Sequence, residues 1–243
     1  MIRELSTLGD VLTAAGDDLT IVWAAQDMRP GTRAFALGEA VAVAAPALAR
    51  RDRLVVAGPL DDVAPLVRHA LAEVGPAYRP MGDEGLVRAL AERVERVRFE
   101  AAFLWMQTAA PAPGEVGKTV WLEDADTARV SELLAVAAPG SYAVPGVPGV
   151  RRWAGMRADS GELVSVAADA WSCSSVGFIA GVATAGARRR RGHSEAVCRF
   201  VLNDLMAAHG RVALMADSWN GSAVGVYERL GMSLRNVAAA HAD

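Results

Sequence analysis

Four consecutive arginines, Arg188 to Arg191, run into Gly192, His193 and Ser194 where an apolar stretch, Val176 to Thr184, gives way to a helical pattern. A helix start offers backbone N–H groups with no intrahelical partner, and its dipole adds partial positive charge there. Glycine lets a bulky anion approach that backbone, and nearby guanidinium groups add charge-assisted hydrogen bonds. The junction therefore suits a phosphate or pyrophosphate. Standing alone, the arginines could equally form a solvated turn. They do not stand alone. A second motif, NGSAVGVYERLGM from Asn220 to Met232, begins 28 residues after Gly192.

The spacing Arg189-Arg190-Arg191-Gly192-His193-Ser194 resembles the R-x-x-G-x-G/A signature of the GNAT superfamily, with Ser194 where Gly or Ala is usual. Asn220, Ala223, Tyr227, Leu230 and Gly231 fall in register with that family's second motif, and Met232 replaces the commoner phenylalanine. The resemblance implies a GNAT fold, with a mixed central sheet flanked by helices, over residues 118 to 238. It implies an acetyl-CoA-dependent N-acetyltransferase acting on an amine of a small molecule or peptide. The backbone of Val182, Ala183 and Thr184 is expected to pair with the pantetheine arm like an added strand. Arg189, Arg190, Arg191, Gly192, His193 and Ser194 are expected to hold the pyrophosphate, and Asn220 to hydrogen-bond the pantetheine or the chain around it. Tyr227 is the expected general acid for the departing thiolate; the structural alternative is a tyrosine packed on the core. A thiolate has a pKa near ~8.5, so a phenol donor needs little driving force.

Amine attack on a thioester also needs a neutral amine, hence a proton acceptor. The strand position where some family members carry a glutamate holds Phe178, which cannot act. Asp169 is the expected base, with Glu123 and Asp217 as weaker choices and a water relay to a distant acid equally open. His193 and His209 are read as helix-start and helix-end residues. The missing glutamate leaves a second function class open, a non-catalytic acyl-CoA sensor or interaction module; Tyr227 speaks against it.

Two halves position these residues, an N-terminal lobe over 1–110 and a GNAT domain over 118–243, joined by TAAPAPGEVG from Thr108 to Gly117. The first half reads as a strand at Leu19 to Ala25, a hairpin from Arg33 to Ala45 folded near Gly38, and a strand at Asp52 to Ala57. A helix capped by Asp61 follows, then a helix from Glu84 to Val94 and a strand from Phe99 to Met106. The second half reads as a strand (Thr119 to Leu122), a helix (Asp126 to Ala137, capped by Asp124 or Asp126) and a loop (Pro139 to Gly149). A hairpin turning at Asp159-Ser160-Gly161 leads to the strand Val176 to Thr184. A helix from Gly192 to His209, a strand (Arg211 to Ala216), a helix (Ser222 to Leu230) and a last strand (Met232 to Ala238) complete it. The whole is an α/β pattern. The first half has the element order of a GNAT centre, but Asp61 and Asp62 stand at its helix start and repel a pyrophosphate. It reads as a degenerate GNAT-like lobe or as an unrelated substrate-binding lobe.

Composition narrows the classes. The 243 residues carry a net charge of −3, against a general nucleic-acid binder. No apolar run is long enough for a membrane span and no secretory signal opens the chain, so a cytoplasmic protein without membrane partners is expected. Lys118 is the sole lysine, as a GC-rich genome would give. Cys173 and Cys198 sit in no metal-ligand spacing, so no metal is expected and reduced thiols are the default. A monomer or homodimer is expected.

Overall fold

The computed structural model describes residues 1–243. The chain divides into two compact units, Met1–Trp105 with Arg235–Asp243, and Met106–Leu234. The returning C-terminal segment places the division differently from the expected halves, because the last strand completes the sheet of the first unit.

In unit 1, β1 (Arg3–Leu5), β2 (Arg33–Leu37), β3 (Ala40–Leu48), β4 (Arg51–Ala57), β5 (Arg79–Asp83), β12 (Ser233–Ala242) and β6 (Val97–Thr108) lie in that order across the sheet. The β4–β5 pair is parallel, and β12 adds antiparallel to β5 with Val237 opposite Asp83. Helices α1 (Leu8–Ala15), α2 (Leu19–Ala25), α3 (Leu60–Val74) and α4 (Glu84–Arg93) flank it. Val63, Leu66, Val67 and Ala70 of α3 join Phe35, Leu54 and Val56 of the sheet in one apolar core.

Leu19–Ala25 is a helix, not the expected strand. Its N-cap Asp18 accepts from the backbone N–H of Thr20 and Ile21. All seven residues are buried, so no polar face marks the helical period. Asp61 is not the cap of α3 either. Pro59 holds that position without a side-chain bond. Asp61 pairs with Arg93, and Asp62 turns back to accept from the Glu39 N–H at 3.2 Å.

In unit 2 the sheet order is β11 (Val212–Ala216), β10 (Gly177–Thr184), β9 (Leu163–Ala170), β8 (Val150–Arg157) and β7 (Val120–Trp121). Only β10–β11 is parallel there. Helices α5 (Thr127–Ala137), α6 (His193–His209) and α7 (Gly221–Arg229) flank it. Val197, Val201, Leu202 and Leu205 of α6 are buried. Phe200 is half-buried and meets the Trp121 ring edge-on. Asp126 occupies the N-cap position of α5, but its carboxylate accepts from Arg129 and Arg157 instead of capping. Within the expected linker, Ala112 exchanges hydrogen bonds with Asn203 and Arg199 donates to the Pro113 carbonyl, so this stretch is fastened to α6. No helix of either unit is long and apolar enough to cross a membrane.

Candidate functional site

The β10–β11 ladder runs from Gly177↔Val212 to Ile179↔Leu214 and stops. β10 continues to Thr184, paired only with β9, so Ala180 to Thr184 present backbone toward β11 without a strand partner. Parallel strands that part in this way leave a wedge lined by N–H and C=O groups, which an extended ligand can satisfy as a strand would. Val182 and Thr184 are half-buried and Ala183 is buried, so the expected pantetheine-pairing residues lie along this opening.

A β-bulge shapes the strand. Between Ala180↔Ala168 and Ala183↔Val166, β10 uses one residue more than β9. Gly181 sits there with φ +62°, a region costly for any residue with a Cβ. The bulge also flips the side-chain alternation. A Cβ on Gly177 would meet Leu205 of α6, whereas a Cβ on Gly181 would meet the Trp153 ring at 2.4 Å. Trp153 stands on the face away from α6, because its neighbour Arg152 reaches Asp204 of α6 and stacks over Trp121 at 3.7 Å. No local pattern marks Trp153, whereas Gly181, an isolated glycine inside an apolar strand, is a readable bulge signal.

The wedge opens toward the arginine turn. A short 3-10 segment, Gly186–Arg188, leads to Arg190 and Gly192 in left-handed conformation, φ +61° and +77°. Gly192 is the N-cap of α6 and supplies no side-chain cap. The first intrahelical bond is Ala196 N–H to the Gly192 carbonyl, so the N–H groups of His193, Ser194 and Glu195 have no intrahelical acceptor. A Cβ on Gly192 would meet nothing within 4 Å, so the space before these donors is open. Together these features make a helix start of the kind that can receive an anion.

The side chains around it divide. Arg188 pairs with Glu162 at 2.8 Å, and Arg189 reaches the carbonyls of Thr184 and Ala137. Arg190 and Arg191 are exposed. Arg188, Arg191 and His193 also line an open cleft with Lys118, Arg157 and Asp159, which makes it net basic. His193 Nδ1 lies 3.1 Å from Met156 Sδ. Ser194 bonds the Cys198 thiol, which burial pushes up to about 12. Both cysteines are buried, and neither is in a disulfide.

Asn220 caps α7, its side-chain oxygen accepting from Ala223 N–H and Ser222 Oγ. Its amide nitrogen takes part in neither bond. Tyr227 is 6% exposed, and burial, with the neighbouring Cys198 second, raises its phenol well above the ordinary 10. It stays protonated throughout the physiological range. Glu195 ties α6 to α7 by accepting from Arg199 and Arg229. The Arg229 bond, outweighing burial, holds its carboxyl below the usual range.

Asp169 is placed otherwise than a free base would be. It lies opposite Ile179, at the closed end of the wedge, and is 3% exposed. Ser172 Oγ donates to one oxygen at 2.6 Å and Arg152 Nε to the other at 3.3 Å. Ser172 in turn accepts from Phe178 N–H at 2.8 Å. This network fastens the β9–β10 turn and holds a buried carboxylate within it instead of leaving it open to an incoming amine. Glu123 and Asp217 are exposed; Asp217 follows the end of β11, at the mouth of the wedge. Phe178 is buried, and His209 ends α6 beside the Ser174 carbonyl.

No family model and no curated protein matches the sequence. Solved structures do match the fold. A GCN5-related N-acetyltransferase from Kribbella flavida aligns with a TM-score of 0.60 at 17% identity, over 90% of this chain and 93% of that one. One from Sphaerobacter thermophilus gives 0.57 at 18%, over 100% and 95%. A GNAT-family acetyltransferase from Colwellia psychrerythraea gives 0.56 at 11%, over 99% of both. The chain has the GNAT fold.

Proposed function

We propose that the chain is an N-acetyltransferase that takes acetyl-CoA into the wedge of unit 2 and passes the acetyl group to an amine of a small molecule or peptide. The observation that carries this reading is the β10–β11 ladder ending at Ile179 and Leu214, upstream of an uncapped, arginine-rich helix start. The likeness in fold to proteins described as N-acetyltransferases supports it.

The N–H groups from Arg190 to Ser194, with the Arg190 and Arg191 guanidiniums, bind the pyrophosphate. Ala180 to Thr184 carry the pantetheine arm as an added strand, and the Asn220 amide donates to it. The amine attacks the thioester carbonyl, the N–C bond forms, the C–S bond breaks, and Tyr227 gives its proton to the leaving sulfur. The amine proton leaves through water to an acid at the wedge mouth, where Asp217 stands. Asp169 holds strand geometry in this account.

Free thiol release from acetyl-CoA, followed with a panel of amines, tests the proposal. Release that depends on an amine supports it. Coenzyme A binding without release under any amine would make the chain an acyl-CoA sensor instead.

A further inference from the structure

Resting on that reading, we infer that Trp153 and Ala143 wall off the thioester end of the wedge and restrict the acyl group to acetyl. Where the ladder closes at Ile179 and Leu214, both buried, an arm lying along β10 can go no deeper. The thioester must therefore come to rest beside the Gly181 bulge. An acyl chain longer than acetyl has to leave the plane of the sheet there. One face is filled by α6, whose Val197, Val201 and Leu205 are fully buried. The other face carries Trp153. Its six-membered ring edge lies so close that a Cβ on Gly181 would sit 2.4 Å from Cη2 and 2.8 Å from Cζ3. Ala143, from the loop after α5, closes the same position, 3.2 Å from that Cβ, and is itself fully buried.

Trp153 is 8% exposed, and its indole N–H is buried without a hydrogen-bond partner. The ring acts here by its bulk, with no polar contact holding it. Phenylalanine at this position would shorten the wall and remove the orphaned donor, so Trp153→Phe is expected to fold. Trp153→Ala opens the space further.

Titration calorimetry with free coenzyme A, acetyl-CoA, butyryl-CoA and hexanoyl-CoA tests the inference, free coenzyme A serving as the check on each variant's fold. The parent should bind acetyl-CoA well and lose roughly tenfold or more for each methylene without a home. Trp153→Phe should recover butyryl-CoA, and Trp153→Ala hexanoyl-CoA, with free coenzyme A affinity unchanged. Equal binding of hexanoyl-CoA and acetyl-CoA by the parent would overturn the wall. So would a chain-length preference that neither variant alters. Failure of every ligand, free coenzyme A included, would instead remove the wedge assignment beneath it.

Discussion

Ile179 and Leu214 are the last residues paired between β10 and β11, and the opening beyond them has no counterpart in unit 1. There β4 and β5 pair through Val55↔Met81, and a Cβ on Gly82 would still meet the Val56 carbonyl at 2.5 Å. β4 ends at Ala57, two residues past its last pair with β5, whereas β10 runs on five residues past its last pair with β11. Asp62 fills the turn that follows, its carboxylate 2.3 Å from where a Gly38 Cβ would stand. The two units share an order of strands and helices, and only unit 2 combines a parted ladder with a cationic helix start.

Tyr227→Phe should lower turnover by about 10²–10⁴ while leaving coenzyme A affinity and melting temperature near the parent's, because only a proton donor is removed. Steady-state rates with calorimetric affinities check this. An unchanged rate would mean that water protonates the thiolate.

Gly192→Val should act twice. The residue is held at φ +77°, where a side chain costs about 1–2 kcal/mol, so the melting temperature should fall slightly despite the open space. The new side chain also stands before the free N–H groups, so coenzyme A affinity should fall beyond what the stability loss explains. Chemical denaturation and titration of one preparation separate the two effects. Unchanged coenzyme A affinity would remove the phosphate turn.

Asp18 gives a pH dependence. Burial alone would raise its carboxyl, but bonds from Arg235 and Thr20 outweigh this and hold it below the ordinary 3.8. Arg235 of β12 donates to both its oxygens at 2.9 and 3.1 Å, joining the end of the chain to α2. A depressed carboxyl contributes stability that is fully present above its unfolded pKa near ~3.9 and is lost as pH falls through the folded value. Asp18→Asn keeps a capping oxygen and loses the ion pair, so it should cost about 1.5–3 kcal/mol at pH 7 and less at pH ~3, below the unfolded pKa. Denaturant titrations at the two pH values measure the difference; an equal cost at both would show that charge is not the cause.

What was legible in the sequence follows local chemistry. The arginine turn at the start of α6 and the placement of Tyr227 on α7 depend on residues close in the chain, so both are readable from the sequence. Leu19 to Ala25 reads as a strand because burial on every side erases the pattern that separates helix from strand, although Asp18 is a cap signal. The partnership of β12 with β5 is a pairing across most of the chain, and no local pattern records it. Asp169 carried the right chemistry for a base, but only its neighbours Ser172 and Arg152 reveal that its oxygens are engaged.

Titration calorimetry of coenzyme A against the intact chain tests the central claim most directly. The account predicts one site per chain, reporting on the unit 2 wedge and abolished or strongly weakened by Gly192→Val. In unit 1, Asp61 and Asp62 set two negative charges at the helix start where a pyrophosphate would sit. At ~4–6 Å and an effective dielectric near ~20, each repulsion costs on the order of 3–4 kcal/mol before screening. A micromolar site is worth only about 8.2 kcal/mol. A stoichiometry near two, or no binding at all, would contradict the account.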